Sequence, residues 1–125
     1  MKLPKKINIS NSFERFSDSW NPRIIAKLNG QEVKIARLKG EFIRHSHLIE
    51  DEMFLVLEGS LTLEFDTGSL LLREGELAVV PAGLPHKPIA HGEAKVLLFE
   101  PRSTKNTGDM QNDKTRTDLE DLSND

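Results

Sequence analysis

The 125-residue chain has no cysteine. Disulfides are therefore excluded, and any metal would have to be held by nitrogen and oxygen rather than by thiolate. Long apolar runs are missing too. The stretch from Met1 to Lys6 is basic, but nothing hydrophobic follows it, so neither a signal peptide nor a transmembrane span is expected. A cytoplasmic location is the resulting expectation. Charge of one sign is also scarce. The formal net charge of −3 is too small, and of the wrong sign, for binding driven by phosphate neutralisation, so nucleic acid is not an expected partner, nor is a membrane. No repeat of solenoid period is visible.

What is present is ordinary for one soluble domain, with 37% hydrophobic and 30% charged residues. Its distribution divides the chain into an N-terminal segment (1–21), a β-rich body (22–101) and a polar tail (102–125). In the first segment, Phe13, Phe16 and Trp20 are spaced to share one helical face. Asn11 and Glu14 resemble a capping box; a loop anchored by three aromatics is the equal alternative.

The body carries strand signals. Pro22–Leu28 and Gln31–Leu38 flank Asn29-Gly30, a strong hairpin signal. Further runs lie at Glu52–Glu58, Leu61–Phe65, Ser69–Leu72, Leu77–Val80 and Ala94–Phe99, with glycines at 59, 68, 75, 83 and 92 between them. Many short strands with glycine turns, and no ten-residue helical pattern, predict an all-β sandwich or barrel. In the tail, ten of 24 residues are charged, and only Met110, Leu119 and Leu122 are large and apolar. A frayed, solvated tail is expected, with Thr117 and Glu120 as the caps of a single helical turn in the other case.

Three of the four histidines fall into two clusters. Residues two apart on a strand share a face, so His45 and His47 project together, and Glu52 opens the next strand. Some forty residues later, His86 follows Pro81-Ala82-Gly83-Leu84-Pro85. A closed barrel can bring such segments into one metal site. Singly, each residue has a blander role: a lone histidine in a β protein is usually a satisfied polar group, and Glu50 and Asp51 fit a solvated turn. His91 lies outside both clusters and fits a turn.

Taken together, the clusters resemble the two cupin motifs. The sequence gives G-x4-HxH-x4-E-x6-G over 40–59 and G-x5-PxG-x2-H over 75–86. Gly40 stands one residue closer to His45 than the family pattern has it, and Ala90 occupies a position that is commonly Asn. The resemblance implies a double-stranded β-helix (jelly-roll) barrel of the RmlC-like kind, with His45, His47, Glu52 and His86 binding one divalent metal. The chain is also similar to small single-domain cupins of the mannose-6-phosphate isomerase-like group. Those begin with an aromatic-bearing segment and end in a run like Phe99-Glu100-Pro101, then Thr104, Asn106-Thr107-Gly108.

Imidazole and carboxylate suit Fe, Mn, Ni, Zn or Co. The resemblance further implies a mononuclear metalloenzyme of dioxygenase or sugar-isomerase type, with a non-catalytic carbohydrate- or anion-binding module as the alternative. No catalytic residue beyond the ligands is identified. If Glu52 points inward, Met53, Leu55 and Leu57 point outward and need a cover, either the N-terminal aromatics or a second subunit. A homodimer is the expectation.

Overall fold

The computed structural model describes residues 2–124. Its order is α1 (Ile9–Phe13), β1 (Arg23–Leu28), β2 (Gln31–Glu41), β3 (Glu52–Glu58), β4 (Leu61–Phe65), β5 (Gly68–Leu72), β6 (Leu77–Val80), β7 (Lys87–Pro101) and a 3-10 turn at Leu122–Asn124. All pairings between named strands are antiparallel. The path β1-β2-β7-β3-β6 forms one side, and β4 joins β5 to the first half of β7 on the other. This is the jelly-roll arrangement. None of the helices among the described residues is long and apolar enough to cross a membrane.

The β1–β2 hairpin turns at Asn29 and Gly30, both at positive φ (51° and 77°), which matches the twist of the flanking strands. Gly59 has a stricter role. At φ 82° it lies so close to β7 that a Cβ there would meet the Glu93 carbonyl at 2.7 Å.

Alternation along the strands fills the barrel. Ala36, Leu38, Phe54, Val56, Leu61, Leu63, Ala94, Val96 and Leu98 form its buried core. Ala90, at the position where Asn is common, is part of the same core. Glu52, Phe54 and Val56 are buried, whereas Met53, Leu55 and Leu57 are half-buried on the opposite face, so the inward orientation of Glu52 holds.

Three expectations about the terminal segments need correction. The helix is capped by Asn8, whose side chain accepts from Asn11 N at 2.9 Å, so Asn11 lies inside it. Trp20 does not share a face with Phe13 and Phe16. Those two are buried with Ile25, Ile35 and Leu122 on the outside of the β1–β2 sheet, whereas Trp20, at φ 59°, stacks on Phe42 at 4.5 Å. The third correction concerns the tail, which is docked. Leu122 is buried, Ile24 bridges to Asp121, and Arg23 and Lys27 pair with Glu120 and Asp121 at 3.0 and 2.7 Å. Composition misled here because polar hydrogen bonds and ion pairs, rather than apolar bulk, hold the segment down. No helical turn forms at Thr117; the turn is at Leu122–Asn124.

The last strand is longer than Ala94–Phe99. β7 begins at Lys87 and skips His91 and Gly92 in its register with β2, pairing Gly40 with Ala90 but Lys39 with Glu93. That bulge bends one strand across both sides of the barrel.

The cover over the outward apolar face is divided. Leu57 packs against the cluster of Phe13 and Phe16. Met53 and Leu55 instead sit opposite Val79 and Leu77 of β6, which are 57% and 54% exposed.

Candidate metal centre

Two loops and one strand end converge at the barrel mouth. His45 and His86 lie opposite each other and exchange two backbone hydrogen bonds, 3.0 Å from His45 N to His86 O and 2.9 Å in return. His47 is two residues further along the same segment, and Gly83 N donates to its carbonyl at 2.7 Å. Glu52 enters as the first residue of β3. All four are buried, and one ligand atom from each lies within 4.8 Å of the others.

Hydrogen bonding fixes which ring nitrogens face inward. Nδ1 of His45 lies 2.9 Å from the Ile43 carbonyl, and Nδ1 of His86 lies 2.9 Å from that of Leu84. Carbonyls only accept, so both Nδ1 atoms carry the proton and both Nε2 atoms offer a lone pair. Burial pushes the His45 imidazole down to about 4, which keeps it neutral at ordinary pH.

The inward atoms converge in a position that suits a cation. Glu52 Oε1 stands 3.2 Å from His47 Nε2 and 3.6 Å from His86 Nε2. All three atoms are buried and have no hydrogen-bond partner. For His86 the Nε2 lone pair faces a carboxylate oxygen, two acceptors turned toward one another. A divalent ion with bonds of about 2.0–2.2 Å to nitrogen and oxygen would suit the gap and satisfy these three atoms. The donor set is hard to borderline, with no sulfur.

Behind Glu52 lies a second buried layer. Lys34 Nζ donates to Glu100 Oε1 at 2.9 Å and is 3.7 Å from Glu32, and Lys34 and Glu100 are almost fully buried. The Glu100 carboxyl abuts Glu52. Burial, then the Glu52 charge, pushes Glu100 well above the ordinary carboxylate value. Burial also acts against the charge on Glu52, but hydrogen bonding led by Glu100 outweighs it and keeps Glu52 well below that value. Glu100 therefore holds the proton and donates it toward Glu52, which stays anionic.

The tail completes the site. Gly108, at φ 57°, lies against the backbone of Ser46, and a Cβ there would come within 2.9 Å of His45 Cδ2. Asp109 accepts from Ser46 N at 2.9 Å and returns a bond from its own N to Ser46 O at 2.8 Å. Sequence reasoning gave Lys34 and Asp109 no role. Glu100 and Gly108 were marked only through family likeness. Other residues stay outside. His91 is exposed and meets Thr62 at 2.7 Å; Asp51 accepts from Ala82 N at 2.8 Å, and Glu50 from Ser103 at 2.6 Å.

A cavity of about 30 Å³ adjoins His45 and Glu52 inside the barrel, with Trp20, Phe42 and Asn106 among its walls. Arg37 and Arg44 do not reach it. Arg37 binds the carbonyls of Phe13 and Phe16 and pairs with Glu93, and Arg44 pairs with Asp66.

The chain is similar to known proteins in sequence and in fold. The Cupin domain family (Cupin_2) matches residues 31–100. A cupin-2 domain containing protein from Shewanella frigidimarina is 41% identical, with a TM-score of 0.76 over 77% of this chain and 94% of its own. YdbB of Bacillus subtilis is 29% identical over 61% of this chain and 77% of its own length. Bovine 3-hydroxyanthranilate 3,4-dioxygenase is 29% identical over 82% of this chain, which spans only 38% of that enzyme. With both motif regions inside the matched residues and the jelly roll around them, the chain belongs to the cupin domain family.

Proposed function

We propose that His45, His47, Glu52 and His86 bind one divalent metal ion and that the protein is a mononuclear metalloenzyme acting on a small molecule, of dioxygenase type. The carrying observation is the set of buried, unpartnered atoms on Glu52, His47 and His86. The bound ion would supply Lewis acidity and open coordination positions for small ligands. The chain's own residues do the rest. The Ile43 and Leu84 carbonyls aim two imidazoles, Glu100 steadies Glu52, and the apolar walls of the neighbouring cavity keep bulk water away. The likeness to 3-hydroxyanthranilate 3,4-dioxygenase supports oxygen chemistry. Sugar isomerisation keeps the support of a 29% identical sugar phosphate isomerase of the cupin superfamily from Silicibacter pomeroyi. A non-catalytic binding module is the second reading. It is favoured by the cavity wall, in which His45 and Glu52 are the only titratable groups among the described residues.

The metal would be one of Fe, Mn, Ni, Zn or Co. A homodimer, formed through the face of Met53, Leu55, Leu77 and Val79, and a cytoplasmic location belong to the same proposal. Metal analysis of protein purified without added metal, followed by anaerobic reconstitution with Fe(II), tests it. About one ion per chain with oxygen uptake on adding an aminophenol supports a dioxygenase. Stoichiometric metal without oxygen uptake supports the binding module, and no metal overturns the assignment.

A further inference from the structure

The walls over the metal centre restrict what can bind there. The cavity is lined by Trp20, Leu38, Phe42, Phe54, Val96 and Leu98. Among the described residues its remaining lining is Pro22, Ala36, Pro88, Asn106 and the two ligands His45 and Glu52. The only formal charge there is therefore the carboxylate of Glu52, with no lysine or arginine. The inward lysine, Lys34, is bound to Glu100 and is not part of that lining.

Two other cations come near. Lys114 lies 5.6 Å from the Phe42 ring centroid, but it is not part of the lining. Lys105 lines a separate groove of about 400 Å³ outside His47, where Glu50 and Asp109 outnumber it. A divalent ion with Glu52 leaves one net positive charge, enough for one ionised donor atom on the metal. A second negative group, further from the ion, would be buried against hydrocarbon with no partner.

We propose that the substrate is a small molecule of largely apolar surface that reaches the metal through one or two neutral or singly ionised oxygen or nitrogen atoms and carries no carboxylate or phosphate elsewhere. This rests on the metal assignment above, since the ligand is placed over the bound ion. Sugar phosphates are excluded, and so are ring compounds that carry a carboxylate away from the atoms on the metal. At about 30 Å³ the cavity holds little more than a water or two, so a ring enters only as Trp20 moves off Phe42. Trp20 is anchored through Nε1 to the Lys39 carbonyl at 2.9 Å and through its backbone N to the Arg37 carbonyl at 2.8 Å, so that movement costs at least the Nε1 bond.

One matched pair isolates the charge. 2-Aminophenol and 3-hydroxyanthranilate share the same ortho amino and hydroxyl groups and differ by a single carboxylate. Binding of each, and of mannose 6-phosphate, is measured by equilibrium dialysis on the full chain loaded with Zn(II). The emission of Trp20, the only tryptophan in a chain without tyrosine, reports the site. The expected result is a saturable change in Trp20 emission with 2-aminophenol, binding at least about tenfold weaker for 3-hydroxyanthranilate, and none for mannose 6-phosphate. Equal or tighter binding of either anion overturns the proposal, and its loss in Lys114→Met or Lys105→Met would name the missed cation. Failure of all three to bind the metal-loaded chain also overturns it. A chain that takes up no zinc sinks the metal assignment and this proposal with it, whereas failure to bind on a zinc-loaded chain sinks this proposal alone.

Discussion

Ser46 and Asp109 hold each other by two hydrogen bonds, 2.9 Å into the carboxylate and 2.8 Å out from the Asp109 backbone. Ser46 is the residue between the two histidines of the first cluster, so a polar tail residue fixes the pitch of the His45–His47 pair. The clamp continues through Thr107, which is fully buried and hydrogen-bonded to Met110 O at 2.7 Å. Removing the chain after Gly108 takes away Asp109 and Leu122 together. Burial of Leu122 alone is worth about 2 kcal/mol. The truncated protein should melt at least about 5 °C lower and bind metal more weakly. Thermal denaturation beside metal titration checks both; an unchanged melting point would mean that the tail rests on the barrel without stabilising it.

Metal content should depend on each ligand separately. His45→Ala and His86→Ala are each expected to lose most of the bound ion, since three donors in a partly opened site hold it poorly. Elemental analysis of the purified variants decides this. Wild-type metal levels in both would remove the site.

The pair Lys34–Glu100 is expected to matter for stability as much as for the site. Lys34→Ala takes the cation from buried Glu32 and the donor from Glu100 Oε1, and should cost about 3–5 kcal/mol. Glu100→Gln should be far milder, because an amide can still accept from Lys34 and donate to Glu52. Glu100→Ala should loosen Glu52 and weaken metal binding. Chemical denaturation and metal titration on the three variants test the order; equal losses for Gln and Ala would show that Glu100 does not act by donating.

For the outward face, Leu55→Glu is the informative change. Leu55 is half-buried, opposite exposed Leu77 on β6 and beside Leu97 on β7. If this band is a subunit interface, the charge should turn dimers into monomers in sedimentation velocity. Phe13→Ala, which acts on the separate cover over Leu57, should lower stability by about 3–5 kcal/mol and leave the oligomeric state alone. A Leu55→Glu protein with unchanged mass would rule out this face as the interface.

Most strands were legible because alternation and glycine turns are local signals. Glu52–Glu58, Leu61–Phe65 and Leu77–Val80 run between the same residues in the sequence pattern and in the structure. Lys87–Ala90 was not, since Pro88 reads as a break and the bulge at His91-Gly92 interrupts the alternation. The four site residues were legible as two spaced clusters, and the structure brings them together. Lys34 and Glu100 were hidden for a different reason. A charged residue in a strand pattern reads as solvent-facing, and only long-range pairing shows that the two meet inside. Gly108 and Asp109 depend on contacts across some sixty residues of sequence, from Asp109 back to Ser46, which no local pattern encodes.

The length of β7 has a consequence for how the chain assembles. Residues 87–101 supply the partner for β2, β3 and half of the opposite side, so those strands have no completed sheet until this segment exists. During synthesis the β1–β2 hairpin can close early, whereas β3 waits with Met53, Leu55 and Leu57 uncovered. Contacts this distant in sequence make for slow folding and a long exposure of strand edges. Once formed, β7 cannot detach from one side without disturbing the other. Its amide protons in Ala94–Leu98 should accordingly exchange with solvent only when the whole barrel opens, the slowest in the molecule.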